Sequence, residues 1–98
     1  MAYEVQIVPS AARAIAKLPE RVQNAVLAKL EQLSEEPHPS GCEKVSELAR
    51  YGVFRVKVGN SYRILYQVKE DVAIVLVVKV ADRKEVYRRI DELKRYLT

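Results

Sequence analysis

The sequence predicts a small α+β domain of order β-α-α-β-β-β-α, with an antiparallel-rich sheet, an N-terminal helical hairpin and a C-terminal helix. Three observations carry this. Two consecutive helical patterns follow a first short alternating run. The stretch "FRVKVGNSYRILYQV", residues 54–68, puts apolar residues on every second position on both sides of a short turn. Shortly after it comes the apolar run "VAIVLVV", residues 72–78.

The elements follow in order. "YEVQIV", residues 3–8, alternates and reads as a strand that Pro9 stops. Ser10 is a suitable N-cap for a helix through "AARAIAKL", and Pro19 suits the first turn of a second helix. There Val22, Val26, Leu30 and Leu33 share one buried stripe. Residues 34–44, "SEEPHPSGCEK", read as a loop that contains His38, the only histidine. "VSELARYG" is compatible with a short helical turn.

Three strands are expected at about 53–58, 62–68 and 72–80, joined as a meander. The third is apolar on both faces up to Lys79, the mark of a strand covered on both sides. Asp82 and Glu85 stand at capping-box spacing before a helix with Val86, Ile90, Leu93 and Leu97 on its inner face. The first strand is expected at an edge or beside the meander.

Ninety-eight residues bound the chain to one domain, 1–98, with 49% apolar residues. No signal peptide is visible, and the apolar run is too short to cross a bilayer. A lone cysteine, Cys42, excludes an internal disulfide and a cysteine zinc cluster, and the scattered glycines exclude a phosphate loop. A cytoplasmic protein with no cofactor, no metal and no membrane partner is expected. Charge is uneven. Residues 1–52 carry six Lys/Arg against seven Asp/Glu, and residues 53–98 carry eleven against six. The whole positive excess therefore lies in the second half, which points to a polyanionic partner.

The hairpin sharpens that expectation. A three-residue connection, "GNS", pairs Val58 with Tyr62 and Val56 with Ile64, and so gathers the apolar sets on one face. The same register sets Lys57 against Arg63, with Arg55 on the diagonal. Like charges directly opposite cost a few tenths to about 1 kcal/mol, a cost that an anion among them would reverse. A solvated basic sheet face is the plain alternative. Arg83 and Tyr87, spaced i and i+4 beyond the third strand, would share a helix face offset from the core stripe.

Taken together, "YGVFRVKVGNSYRILYQV" and "VVKVADRKEVYRR" resemble the RelE/ParE superfamily of toxins from type II toxin–antitoxin systems, and the resemblance covers nearly the whole chain. It implies the RelE/ParE-like fold and a RelE-type mRNA interferase. That is an endoribonuclease working on the translating ribosome, with Arg55, Lys57, Arg63, Arg83 and Tyr87 as site residues. Position 55 is an arginine where the pattern often has lysine, and arginine hardly releases its proton. The resemblance also implies a cognate antitoxin, contact with mRNA and ribosome, and operator DNA reached only through the antitoxin.

Metal-free RNA cleavage needs the ribose 2′-OH to lose its proton and attack the adjacent phosphate. It also needs charge stabilised on phosphoryl oxygens and a proton for the leaving 5′ oxygen. Arg63 and Arg83 suit the phosphate. Lys57, crowded by cations, is expected to hold its proton less tightly, as a base or shuttle would. Arg55 supplies further charge. Tyr87 could orient the 2′-OH, stack on a base or relay a proton. Two rival readings are a ParE-like gyrase toxin that cuts no RNA, and a non-enzymatic nucleic-acid binder using Tyr62 and Tyr66 as a stacking platform.

Overall fold

The computed structural model describes residues 2–97, so Met1 and Thr98 of the expected 1–98 domain lie outside the described residues. The order is β1 (Glu4–Ile7), α1 (Pro9–Ala16), α2 (Glu20–Glu35), β2 (Glu43–Lys44), a 3-10 segment (Ser46–Tyr51), β3 (Val53–Val58), β4 (Tyr62–Lys69), β5 (Ile74–Asp82) and a second 3-10 segment (Ile90–Tyr96). The five strands form one sheet in the order β1-β5-β4-β3-β2. The β3-β4-β5 meander is antiparallel, and β1 lies parallel to β5 at the edge. The α+β class is as the sequence predicts.

The β3–β4 register matches expectation, with Val58 opposite Tyr62, Val56 opposite Ile64 and Lys57 opposite Arg63. The helices pack on the side of Val56, Ile64, Tyr66, Val75 and Val77, all buried. From α2 come Val26, Leu30 and Leu33, fully or almost fully buried, with Val22 partly so. A bulge between Leu65 and Tyr66 sets Leu65 against Lys79 and Tyr66 against Val77, leaving Val78 as the extra residue. That extra residue reverses the alternation of β5. It turns Val80 to the helix side with Ile64, and Lys79 and Ala81 to the opposite side with Leu65 and Arg63.

That opposite side is not simply solvated. Val53, Leu65 and Gln67 on it are buried, and Gln67 Nε2 donates to the Tyr51 carbonyl at 2.9 Å. The first 3-10 segment and the C-terminal segment cover it through Leu48 and Val86, both fully buried. The end of the hairpin that carries Lys57 and Arg63 stays open, as does the β1 edge at Glu4 and Gln6.

Four expectations need correction. The first helix begins at Pro9 with Val8 as N-cap, so Ser10 lies inside it; a proline ring already holds the φ that the first helical position requires. Residues 43–44, read as loop, pair with β3 as a two-residue edge strand. The last strand starts at Ile74 because a turn over residues 70–73, with Ala73 at φ 54°, takes up Val72. Finally, no continuous α-helix follows β5.

Asp82 does cap, its Oδ1 accepting from Lys84 and Glu85 N–H at 2.9 and 3.0 Å. Yet residues 83–89 form turns, and Arg89 at φ 54° breaks the run before the second 3-10 segment. Lys79 Nζ takes the Arg88 carbonyl at 2.5 Å and draws it out of any helical ladder. The apolar residues still face inward: Val86, Leu93 and Leu97 are buried and Ile90 is partly so. Among the described residues no helix is long and apolar enough to cross a membrane.

Candidate functional site

The β3–β4 hairpin supplies the first part of the site. Lys57 and Arg63 are direct cross-strand partners, so their side chains leave the sheet on one side. Ala81, the β5 partner of Arg63, adds only a methyl group to that row. Lys57 is exposed and Arg63 half-buried. Arg63 Nη1 donates to the carbonyls of Asn60 (3.2 Å) and Tyr62 (2.9 Å), which draws the guanidinium back over the turn. Gly59, at φ 60°, gives that turn its left-handed residue.

The C-terminal segment supplies the second part. Arg83 N–H donates to the Ser61 carbonyl at 2.7 Å, carrying the β4–β5 ladder one step further. The Arg83 backbone therefore borders the hairpin end two residues from Arg63, and its side chain is exposed. Arg63 and Arg83 lie on the same end of the molecule. Tyr87 sits farther along the sheet, where its hydroxyl accepts a hydrogen bond from Arg55 Nη1. The Arg55 guanidinium carbon lies 5.7 Å from the ring centre of Tyr87.

A carboxylate completes this second contact. Glu43 on β2 is the register partner of Arg55, and its Oε1 accepts from Arg55 Nε at 3.1 Å and Nη2 at 2.6 Å. The hydrogen bond from Arg55, then the charge of Arg55, hold the Glu43 carboxyl below its ordinary value, and Lys57 adds a smaller effect of the same sign. Arg55 is raised in turn, by Glu43 first and Tyr87 second. Glu43 borders two shallow depressions. One of about 450 Å³ includes Lys57 and Lys29, and one of about 410 Å³ includes Arg55 and Tyr87.

The structure thus divides the five expected residues. Lys57, Arg63 and the Arg83 backbone meet at the hairpin end, while Arg55 and Tyr87 form a separate contact with Glu43. Two expectations change. Lys57 does not stand among cations alone, because it lines one depression together with Glu43. Tyr87 shares no regular helix face with Arg83, because residues 83–89 are turns, and its hydroxyl is tied to Arg55 instead. Sequence reasoning missed Glu43, since only the pairing of a two-residue strand brings it to Arg55.

Other residues fall outside the site. Tyr66 is buried against the helices and its hydroxyl donates to the Pro37 carbonyl at 2.8 Å, so its ring is no stacking platform. Burial, then Cys42, push that phenol well above its ordinary range. His38 lies in the loop, 3.0 Å from Glu70 and edge-on to Phe54 at 4.7 Å. A larger groove of about 510 Å³ runs between α1, β5 and the second 3-10 segment and holds none of the five. Among the described residues no group of three or more His, Cys, Asp or Glu is placed to hold a metal ion.

Residues 5–87 match the family described as ParE toxin of type II toxin–antitoxin system, parDE. The chain is 36% identical to Toxin RelG of Mycobacterium tuberculosis over 90 residues, covering 91% of this chain and all of that protein. It is similar to a chain of the toxin–antitoxin complex RelBE2 from Mycobacterium tuberculosis, with a TM-score of 0.72 at 32% identity over 85% of this chain and 100% of that one. The intact E. coli RelBE toxin–antitoxin complex also matches, with a TM-score of 0.71 at 26% identity over 82% of this chain and 95% of that one.

Proposed function

The chain belongs to the RelE/ParE superfamily of toxins of type II toxin–antitoxin systems, and we propose that it is a metal-independent endoribonuclease that cuts mRNA on the translating ribosome. The observation that supports this best is the pairing of Lys57 with Arg63 on an open hairpin end that Arg83 borders. The fold does not require this repulsion. A phosphodiester set among these groups would turn it into charge-assisted hydrogen bonding.

In this reading the ribose 2′-OH attacks the adjacent phosphate, and the bond to the 5′ oxygen breaks. Arg63 and Arg83 neutralise the charge that builds on the phosphoryl oxygens. Arg63 uses Nη1 for the turn carbonyls, and a guanidinium has N–H groups on two further nitrogens to offer. Lys57, exposed beside them, adds positive charge and a proton-carrying group. A domain this small offers little surface to hold a long mRNA, so the ribosome presents the strand. Both of the solved relatives described above are complexes with antitoxin. We infer a cognate antitoxin here too, one that masks the basic end and links the toxin to operator DNA, with the cytoplasm as the place of action.

The test is mRNA end mapping in a translating extract. Arg63→Ala and Arg83→Ala, checked for folding, are expected to cut at least about a hundred-fold more slowly, the scale of losing one stabilising donor in a transition state. Folded variants that cut like the parent would remove the phosphate assignment. The ParE description of the matching family favours a second reading, a toxin that inhibits DNA gyrase. Loss of gyrase supercoiling in the presence of the purified chain, with mRNA left intact, would establish that reading instead.

A further inference from the structure

We propose that Glu43 is a positioning residue: acting through Arg55, it fixes the direction of the Tyr87 hydroxyl, whose O–H then donates to an oxygen of the RNA strand. The part that concerns substrate rests on the nuclease reading above; the link from Glu43 to Tyr87 does not.

The geometry accounts for all three guanidinium nitrogens of Arg55. Nε and Nη2 donate to one oxygen of Glu43, and Nη1 donates to Tyr87. A phosphate-binding arginine presents its fork to the ligand, but this fork is turned onto a carboxylate of its own chain. Arg55 is therefore a bracket between β2 and the C-terminal segment, with its fork committed to Glu43. The bracket needs a planar group that donates in two directions at once. The compact ammonium of a lysine has no such fixed fork, which gives a reason for arginine at this position.

The consequence for Tyr87 follows from its donor inventory. A phenol has one O–H to donate and lone pairs to accept with. Accepting from a cation engages a lone pair and leaves the O–H for another acceptor. Of the three roles open to Tyr87, the contact favours hydrogen-bond donation, because the bracket fixes the oxygen and leaves its O–H to donate. Glu43 matters because without it the guanidinium swings free and the hydroxyl loses its direction.

Glu43 is exposed on a two-residue edge strand, so its substitution leaves the core untouched. In the extract assay Glu43→Ala is expected to cut about ten-fold more slowly and Tyr87→Phe about a hundred-fold, within the range of a positioned proton donor. Glu43→Gln, which keeps an acceptor for Arg55, is expected to recover most of the loss. The double variant Glu43→Ala/Tyr87→Phe should be no slower than Tyr87→Phe alone, because both changes break one chain of contacts. Losses that multiply would overturn the proposal.

A second measurement does not depend on cleavage. The ¹³Cζ resonance of Tyr87, assigned by its disappearance in Tyr87→Phe, is expected to shift in Glu43→Ala to its place in Arg55→Lys, and the Arg55 Nε–H to exchange faster. An unmoved Tyr87 resonance overturns the link whatever the activity. A parent chain that leaves mRNA uncut refutes the nuclease reading, and the resonance still decides the link.

Discussion

Glu70 shows at the residue scale how one carboxylate can hold distant segments. Tyr3 donates its hydroxyl to Oε1, and His38 Nε2 lies 3.0 Å from Oε2, so the start of β1, the loop after α2 and the β4–β5 turn meet there. The hydrogen bond from Tyr3, then that from His38, hold the carboxyl below its ordinary value of 4.5. A carboxylate held low in the fold contributes stability above the unfolded value and loses it as pH falls through the folded one. Glu70→Gln is therefore expected to flatten the acid limb. From about pH 5 to about pH 3 the urea midpoint of the parent should fall more than that of the variant, and parallel curves would contradict this. Neither this network nor the Glu43 contact was legible in the sequence, since both join residues whose neighbourhood only the fold creates. The Lys57–Arg63 pairing was legible, because alternation and turn length together leave a single register.

At the scale of elements, legibility followed the strength of periodicity. The β3–β4 hairpin and the α2 stripe are long and regular; the hairpin was read with its register and the stripe as a buried face. The C-terminal segment misled because Val86, Ile90, Leu93 and Leu97, spaced by three and four, suit turns and a 3-10 run as well as an α-helix. What breaks the helix is Arg89 in the left-handed region, which no pattern of apolar residues announces. β2 escaped because two residues carry no period at all. The first 3-10 segment ends on Gly52 at φ 71°, whose N–H donates to the Ala49 carbonyl at 3.0 Å. A Cβ there would meet only the Val68 carbonyl oxygen, at an ordinary 3.6 Å, so the cost of Gly52→Ala comes from the backbone alone. Chemical denaturation should show a loss of about 1–2 kcal/mol; an unchanged midpoint would mean the turn relaxes.

For the whole molecule the decisive property is the separation of charge along the chain, because the second half forms the hairpin and the C-terminal segment that carry all five residues expected from the sequence. On the nuclease reading, binding of a single-stranded RNA should weaken as salt rises, and each cation that meets a phosphate contributes about 0.7 to the log–log slope. Anisotropy titrations at several salt concentrations should lose about that much for Lys57→Ala and for Arg63→Ala, while Glu43→Gln should not lower the slope. A slope that all three variants leave alone would place the RNA elsewhere. Topology adds a consequence in time. β1 pairs with β5, Glu4 against Ile74 and Ile7 against Val77, so the first strand made has no neighbour until the last strand exists. Contacts this distant in sequence close late. On the nuclease reading Arg83 and Tyr87 come later still, so a nascent chain cuts no RNA until the residues beyond β5 have been made.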